Sequence, residues 1–221
     1  MKRKDEFIMD KKQQMKERMT QGKTYIADQL PDESESKEWI DKFNQAPRAE
    51  AATRTATYLK HVLGDIGEGS YIEQPFYCDH GYNIHIGKNF YSNTDLIILD
   101  QCPVTIGDNV FLGPRVGIFC ATHPIDAFVR NLLIEGGKPI TIGDDVWIGG
   151  QVTINPGVTI GSNVIIGSGS VVTKNIPDNV IAAGNPCKVI REITEQDHEY
   201  WMKELERFEE ETEQKLRRDN K

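Results

Sequence analysis

Residues 139–173 read PITIGDDVWIGGQVTINPGVTIGSNVIIGSGSVVT. An aliphatic side chain returns every six positions, at Ile142, Ile148, Ile154, Ile160, Ile166 and Val172, and valines at Val146, Val152, Val158 and Val164 keep the same beat. The rhythm runs upstream through Ile106, Leu112 and Ile118, with Val110 and Val116, and Ile86-Gly87 opens it earlier. No α-helix carries this period: at about 100° per residue, positions six apart point about 120° away from one another. A coil of three short flat strands does carry it. Each strand sends an aliphatic inward, and the glycine or asparagine that follows occupies a backbone position that β-carbons resist. Stacked coils then merge their aliphatics into one core, which is a parallel β-helix of hexapeptide repeats. An antiparallel sandwich would need turn signals every 8–12 residues and strict alternation, and the sequence has neither.

The ends of such a prism are exposed sheet edges and need covers. The segment SKEWIDKFNQA places Trp39, Ile40 and Phe43 on one helical face, and AEAATRTATYLKHVLGDIG does the same with Ala52, Thr55, Leu59, Val62 and Leu63 before a glycine stop. The last 31 residues hold eleven acids and seven Lys/Arg. Thr194 with Asp197 reads as a capping box, and Trp201, Leu205, Phe208 and Leu216 make a thin apolar stripe. The expected organisation is a helical region at 1–66, the solenoid at 67–190, and an amphipathic helix at 191–221. That helix lies either on the body or a neighbouring subunit, or serves a partner.

The formal net charge is -8, with a pI of about 5.2. Nucleic acid is excluded as a main partner, because a phosphate backbone calls for a broad basic surface. No apolar run reaches the ~18 residues of a membrane span, and the basic N-terminus lacks an apolar h-region, so a cytoplasmic location is expected. Cys78, Cys102, Cys120 and Cys187 form no C-x-x-C pair and read as small buried side chains in a reducing compartment.

The rhythm breaks at ATHPID, residues 121–126, and resumes at Pro139. The intervening 124–138 is a long loop, and long loops in compact repeats tend to be functional. A loop that leaves and rejoins adjacent coils folds over a cleft at its root, where His123 stands. Three classes fit a hexapeptide solenoid: acyl transfer with one general-base histidine, a zinc carbonic anhydrase needing three histidines, and a purely structural solenoid. His123 has no other histidine within thirty residues, and His80 and His85 lack an evident third partner, so no metal is expected.

The phrases CDHGYNIHIGKNF, DQCPVTIGDN, ATHPID with Arg130-Asn131, GKPITIGDDVWIGG, INPGVTIG and AAGNPCKVIREI together resemble the maltose and galactoside O-acetyltransferases over roughly residues 71–193. ATHPID, Cys102-Pro103 and GKP are nearer the maltose and nodulation-sugar branch. The resemblance implies a left-handed coil, a homotrimer with sites in the clefts between subunits, acetyl-CoA as donor and a sugar hydroxyl as acceptor. A non-sugar, amino-sugar or antibiotic acceptor is the alternative within the fold. A sugar hydroxyl needs a base of near-neutral pKa as it attacks a thioester, and His123 is assigned that task. The backbone N–H of Gly150 is implied as the oxyanion donor. Residue matching gives Asp79 and Asn93 to the acceptor. It gives Trp147 to the CoA arm, unless Trp147 is a cross-coil packing residue. Ser168, Thr173, Lys174, Lys188 and Arg191 match positions that meet the pantetheine and phosphates. Asp28 in GKTYIADQL corresponds to an acceptor-binding acid with a register offset of about one, and Gln101 stands where galactoside relatives carry a second acid.

Overall fold

The computed structural model describes residues 2–31, 34–51 and 53–216, the first nine of them as backbone alone. Three parallel sheets form the faces of a prism. The first face stacks Asp65–Ile66, Ile84–Ile86, Val104–Ile106, Ile140–Ile142 and Thr159–Ile160, with Ile176 bridging onto Ile160. The second stacks Tyr71–Ile72, Tyr91–Ser92, Phe111–Leu112, Trp147–Ile148, Ile165–Ile166 and Val180–Ala183, and Lys188–Glu192 ends it antiparallel. The third stacks Phe76–Cys78, Leu96–Leu99, Gly117–Phe119, Thr153–Ile154 and Val171–Val172. The chain visits the faces in that order, so three strands make one coil and the prism holds about six. The period-six reading holds to the residue. Ile86, Ile106, Ile142 and Ile160 sit in one register column, and the repeat valines are buried with them. Each such side chain contributes about 1.5–3 kcal/mol by leaving water.

The corners correct one detail. The glycine after each aliphatic is required for space, not for an unusual φ. A β-carbon on Gly107 would stand 2.8 Å from the backbone of Gly143 in the next coil. The left-handed position lies two residues later, at Asn109 with φ 55° and Asn163 with φ 52°, where a short amide side chain tolerates it. These side chains also tie coils together: Asn89 donates to Asn109 at 3.0 Å, and Asn109 to Asp145 at 2.9 Å.

The covers differ more from expectation. Helix α1 spans Lys2–Thr20, and α2, Ser34–Gln45, buries Ile40 and Phe43 against the first coil. The expected helix over 49–67 is instead two 3-10 turns flanking a short α3, Arg54–Tyr58, and Asp65–Ile66 already belongs to the solenoid. Thr57 N–H and Thr57 Oγ1 both donate to the Thr53 carbonyl at 2.9 Å, so the α-helical bond forms at this turn although the helix runs only to Tyr58. Thr55, Leu59, Val62 and Leu63 are buried as anticipated, and Ala52 lies outside the described residues. The loop at 124–138 is ordered. A short turn, α4, Ala127–Arg130, is capped by Asp126, and Ile134–Gly137 returns as a strand between Ala121–Thr122 and Tyr25–Ile26. Helix α5, Glu195–Thr212, has the capping box of Thr194 and Asp197 and no buried residue, with Met202 and Leu205 half-buried. No described helix is long and apolar enough to cross a membrane.

Candidate functional site

Each coil turns at three edges. The arm built from 121–137 leaves the prism at the third edge, where the third face passes to the first. This edge is shaped by Asp100, fully buried, whose carboxylate accepts from the backbone N–H groups of Asp79 (3.2 Å), His80 (2.9 Å) and Gly81 (2.7 Å). Burial pushes the Asp100 carboxyl up, and the N–H donors oppose that rise. The folded corner turns the Asp79 side chain into a cavity of about 380 Å³ lined by Tyr25, Ala27, Leu30, Pro31, Lys37, Asp79, His80, Gln101 and Glu135. Gln101 Nε2 donates to Asp79 Oδ2, while Gln101 Oε1 is buried without a partner among the described residues.

The arm brings a catalytic candidate to the same place. Tyr25 pairs with Glu135, and Thr122 with Gly136. The ladder ends with Thr122 opposite Gly136, so His123 is the first residue beyond it, next to the strand that carries Glu135; it is not itself among the residues lining the cavity. His123 is exposed and makes no hydrogen bond to another described residue. Asp28 lies at the rim of this region. Ala27 and Leu30 line the cavity, but Asp28 is exposed in the 3-10 turn Ala27–Gln29 and is not among the lining residues. The inward position of this segment is Tyr25, three residues earlier. Tyr25 and Glu135 were not singled out from the sequence. The only available signal was their presence in the two segments that flank the break.

Asn93, Trp147 and Gly150 are elsewhere, at or beside the second edge, where the second face passes to the third. A cavity of about 420 Å³ is lined there by Tyr91, Asn93, Phe111, Leu112, Gly113 and Trp147. Trp147 satisfies both of its readings. It continues the register column Tyr71, Tyr91, Phe111, and it is 55% exposed on the cavity wall. Gly149 N–H donates to Ile166 and Gln151 N–H to Pro114, but the N–H of Gly150 between them donates to no described residue. A β-carbon on Gly113 would stand 2.5 Å from that nitrogen, so the glycine keeps the amide open. Ser168 stacks on Gly149 in the coil above.

The remaining expected residues divide the same way. Lys188, opposite Ala183, lies toward the second edge, whereas Thr173 and Lys174 lie at the third. Arg191 is engaged: it forms a bidentate pair with Asp197 at 2.7 Å, which holds the Asp197 carboxyl well below the usual range. Thus one chain places Asp79, His123, Thr173 and Lys174 at one edge and Asn93, Gly150, Ser168 and Lys188 at another. Among the described residues no group of three His, Cys, Asp or Glu could hold a metal ion. Burial raises the thiols of Cys102 and Cys187 and pushes Cys120 up to about 12.

Known proteins share this architecture. The family described as bacterial transferase hexapeptide (six repeats) matches residues 139–174, and hexapeptide repeat of succinyl-transferase matches 103–124. The galactoside O-acetyltransferase of Escherichia coli is 45% identical over 193 residues, 86% of this chain and 95% of that protein. Nodulation protein L of Rhizobium leguminosarum bv. viciae is 41% identical over 79% of this chain and 93% of its own. Among solved structures, a maltose O-acetyltransferase from Clostridium difficile superposes with a TM-score of 0.76 at 48% identity, covering 81% of this chain and 97% of that one. A galactoside acetyltransferase in complex with coenzyme A gives 0.78 at 43%, covering 83% and 93%. The solenoid is a left-handed parallel β-helix. The identities lie within a few points of one another and so do not rank the acceptors.

Proposed function

Because the chain belongs to the maltose and galactoside O-acetyltransferase family, we propose that it transfers acetyl from acetyl-CoA directly to a sugar hydroxyl, as a homotrimer with its sites between subunits. The observation that carries this reading is the division of the expected residues between two edges of one prism. A base and an oxyanion donor must each lie within about 3 Å of the atoms they serve. A face of four to five extended residues separates the second and third edges by roughly 15 Å. His123 and Gly150 therefore act together only if the third edge of one chain meets the second edge of the next.

In that cleft His123 accepts the proton of the acceptor hydroxyl as its oxygen attacks the thioester carbonyl. The Gly150 N–H, open beside Gly113, donates to the oxyanion that forms. His123 then returns its proton to the departing thiolate, which balances the transfer. Asp79 and Asn93 hold acceptor hydroxyls, and Trp147 flanks the CoA arm. Ser168, Thr173, Lys174 and Lys188 meet the pantetheine and phosphates. Arg191 joins them only where a phosphate shares it with Asp197. The buried thiols with raised pKa are poor nucleophiles, in keeping with transfer in a ternary complex. The carboxylates of Asp79 and Glu135 in the acceptor cavity also favour, as a second reading, an amino-bearing acceptor for the same chemistry.

Thiol release from acetyl-CoA across mono- and disaccharides, thiogalactosides and amino sugars identifies the acceptor. His123→Ala is expected to lower kcat by about 10²–10⁴-fold with CoA affinity and trimer unchanged. An unaltered rate would overturn the mechanism.

A further inference from the structure

Resting on that acetyltransferase reading, we infer that Glu135 binds the acceptor and that Tyr25 is its positioning residue, so acceptor recognition depends on a carboxylate carried by the arm and fixed by the N-terminal strand. Tyr25 is 2% exposed, and its phenol donates to Glu135 Oε2 at 2.7 Å. Burial first, and Glu135 second, raise the phenol pKa, so it stays a donor. The pairing Tyr25↔Glu135 and Ile26↔Ile134 fixes both backbones. One carboxylate oxygen is thereby held, and the other accepts from no described residue.

Two further groups point the same way. Gln101 spends its amide N–H on Asp79 and leaves Oε1 buried, with no partner among the described residues, on the wall of the same cavity. A buried orphan acceptor calls for a donor. Asp79 has its own second oxygen. These groups set several acceptors together, beside Lys37 and His80 on the same cavity wall, which suits a ligand that presents several donors close together, such as neighbouring hydroxyls of a pyranose ring. His123 directly follows Thr122, whose partner Gly136 is the neighbour of Glu135, so a hydroxyl adjacent to one gripped by Glu135 lies toward the base. The arm therefore delivers base and binding carboxylate together, and the β-strand Tyr25–Ile26 fixes the spacing between the acceptor and His123.

The test is steady-state kinetics of Tyr25→Phe, Glu135→Ala, Glu135→Gln and the double variant Tyr25→Phe/Glu135→Ala, with D-glucose, maltose, methyl β-D-galactoside and D-glucosamine as acceptors. Glu135→Ala is expected to raise the acceptor KM by about 10- to 100-fold, the range for a lost hydrogen bond to a charged group, with the KM for acetyl-CoA unchanged. Tyr25→Phe raises it by roughly 3- to 10-fold, and Glu135→Gln, which keeps an acceptor oxygen, recovers part of the loss. The double variant is no worse than Glu135→Ala, because Tyr25 acts through Glu135. An acceptor KM within about twofold of wild type in Glu135→Ala overturns the inference, as do effects that multiply in the double variant. Should Glu135→Ala not fold, the near-isosteric Tyr25→Phe and Glu135→Gln carry the same comparison. Should the wild-type protein acetylate none of the four acceptors, the acetyltransferase reading itself falls, which is a different result from a wild-type enzyme indifferent to Glu135.

Discussion

The separation of His123 from Gly150 and Asn93 can be tested by subunit mixing. Two inactive proteins are prepared: His123→Ala, lacking the base, and Asn93→Ala, altered at the other edge. In a cyclic trimer each cleft draws the third edge from one chain and the second edge from the next. A cleft is intact only where an Asn93→Ala chain supplies His123 and a His123→Ala chain supplies Asn93. Random reassortment at equal amounts gives each cleft one chance in two for each edge, so about a quarter of wild-type activity returns, plus the trace kept by the parents. If both groups served one site within a single chain, every site in the mixture would lack one of them and nothing would return. The assay is thiol release after denaturation and refolding of the mixture, with heterotrimers verified by native mass spectrometry. Mixed trimers that stay at the parental rate would refute the shared-cleft geometry.

Ile148, fully buried at mid-prism, is expected to cost about 2–5 kcal/mol when changed to alanine, read as a lower unfolding midpoint in denaturant. Glu73→Ala strands Arg54, which is 2% exposed and bonded to Glu73 at 2.5 Å and to the Tyr71 hydroxyl at 3.1 Å. Because Glu73 itself is partly exposed, the expected loss is about 1–3 kcal/mol, and replacing both residues by leucine or methionine should restore much of it. Raised thiol pKa values keep Cys102, Cys120 and Cys187 protonated through neutral pH. A thiol reagent at pH 8 should therefore react quickly with Cys78 at most, and with all four cysteines only after denaturation. Rapid labelling of more than one would contradict the buried placement.

The solenoid was legible because its determinant is local and repeated: an aliphatic every six residues leaves one solution for where the core lies. The corner chemistry was only half legible. A glycine needed for close approach of the next coil and an asparagine needed for positive φ look alike in sequence, and only stacking separates Gly107 from Asn109. The helix expected over 49–67 is shorter because its apolar spacing did not show that Asp65–Ile66 already pairs into the first coil of the solenoid. His123 was visible as an interruption of the rhythm. Glu135 and Tyr25 were not, since their pairing joins segments 110 residues apart through a three-stranded sheet that carries no periodic signal. The edge of the prism on which each expected residue falls follows from counting strands between them, but what it implies about neighbouring chains emerges only once the faces are assigned.

The three edges of the prism start from the same geometry and differ in how completely their polar groups are satisfied. At the first edge, between the first and second faces, the polar side chains bond one coil to the next. Lys88 N–H donates to Asp108 at 2.7 Å, Asp108 N–H to Asp144 at 2.7 Å, Asp144 N–H to Ser162 at 3.0 Å, and Ser162 N–H to Asp178 at 2.8 Å. Side chains committed in this way stabilise stacking and present little to a ligand. The second edge replaces side chains by Gly113, Gly149 and Gly150 and leaves the Gly150 N–H open. The third edge spends the buried Asp100 on three backbone donors, turns Asp79 outward, and leaves the Gln101 oxygen without a partner among the described residues. Unmet hydrogen-bonding capacity in a folded protein is costly unless something else meets it. The second edge lacks an acceptor for the Gly150 N–H, and the third lacks, among the described residues, a donor for the Gln101 oxygen. A thioester carbonyl developing negative charge supplies the first, and a polyhydroxyl acceptor supplies the second. Each edge is therefore incomplete alone, and a cleft that joins them is the arrangement in which one reaction completes both.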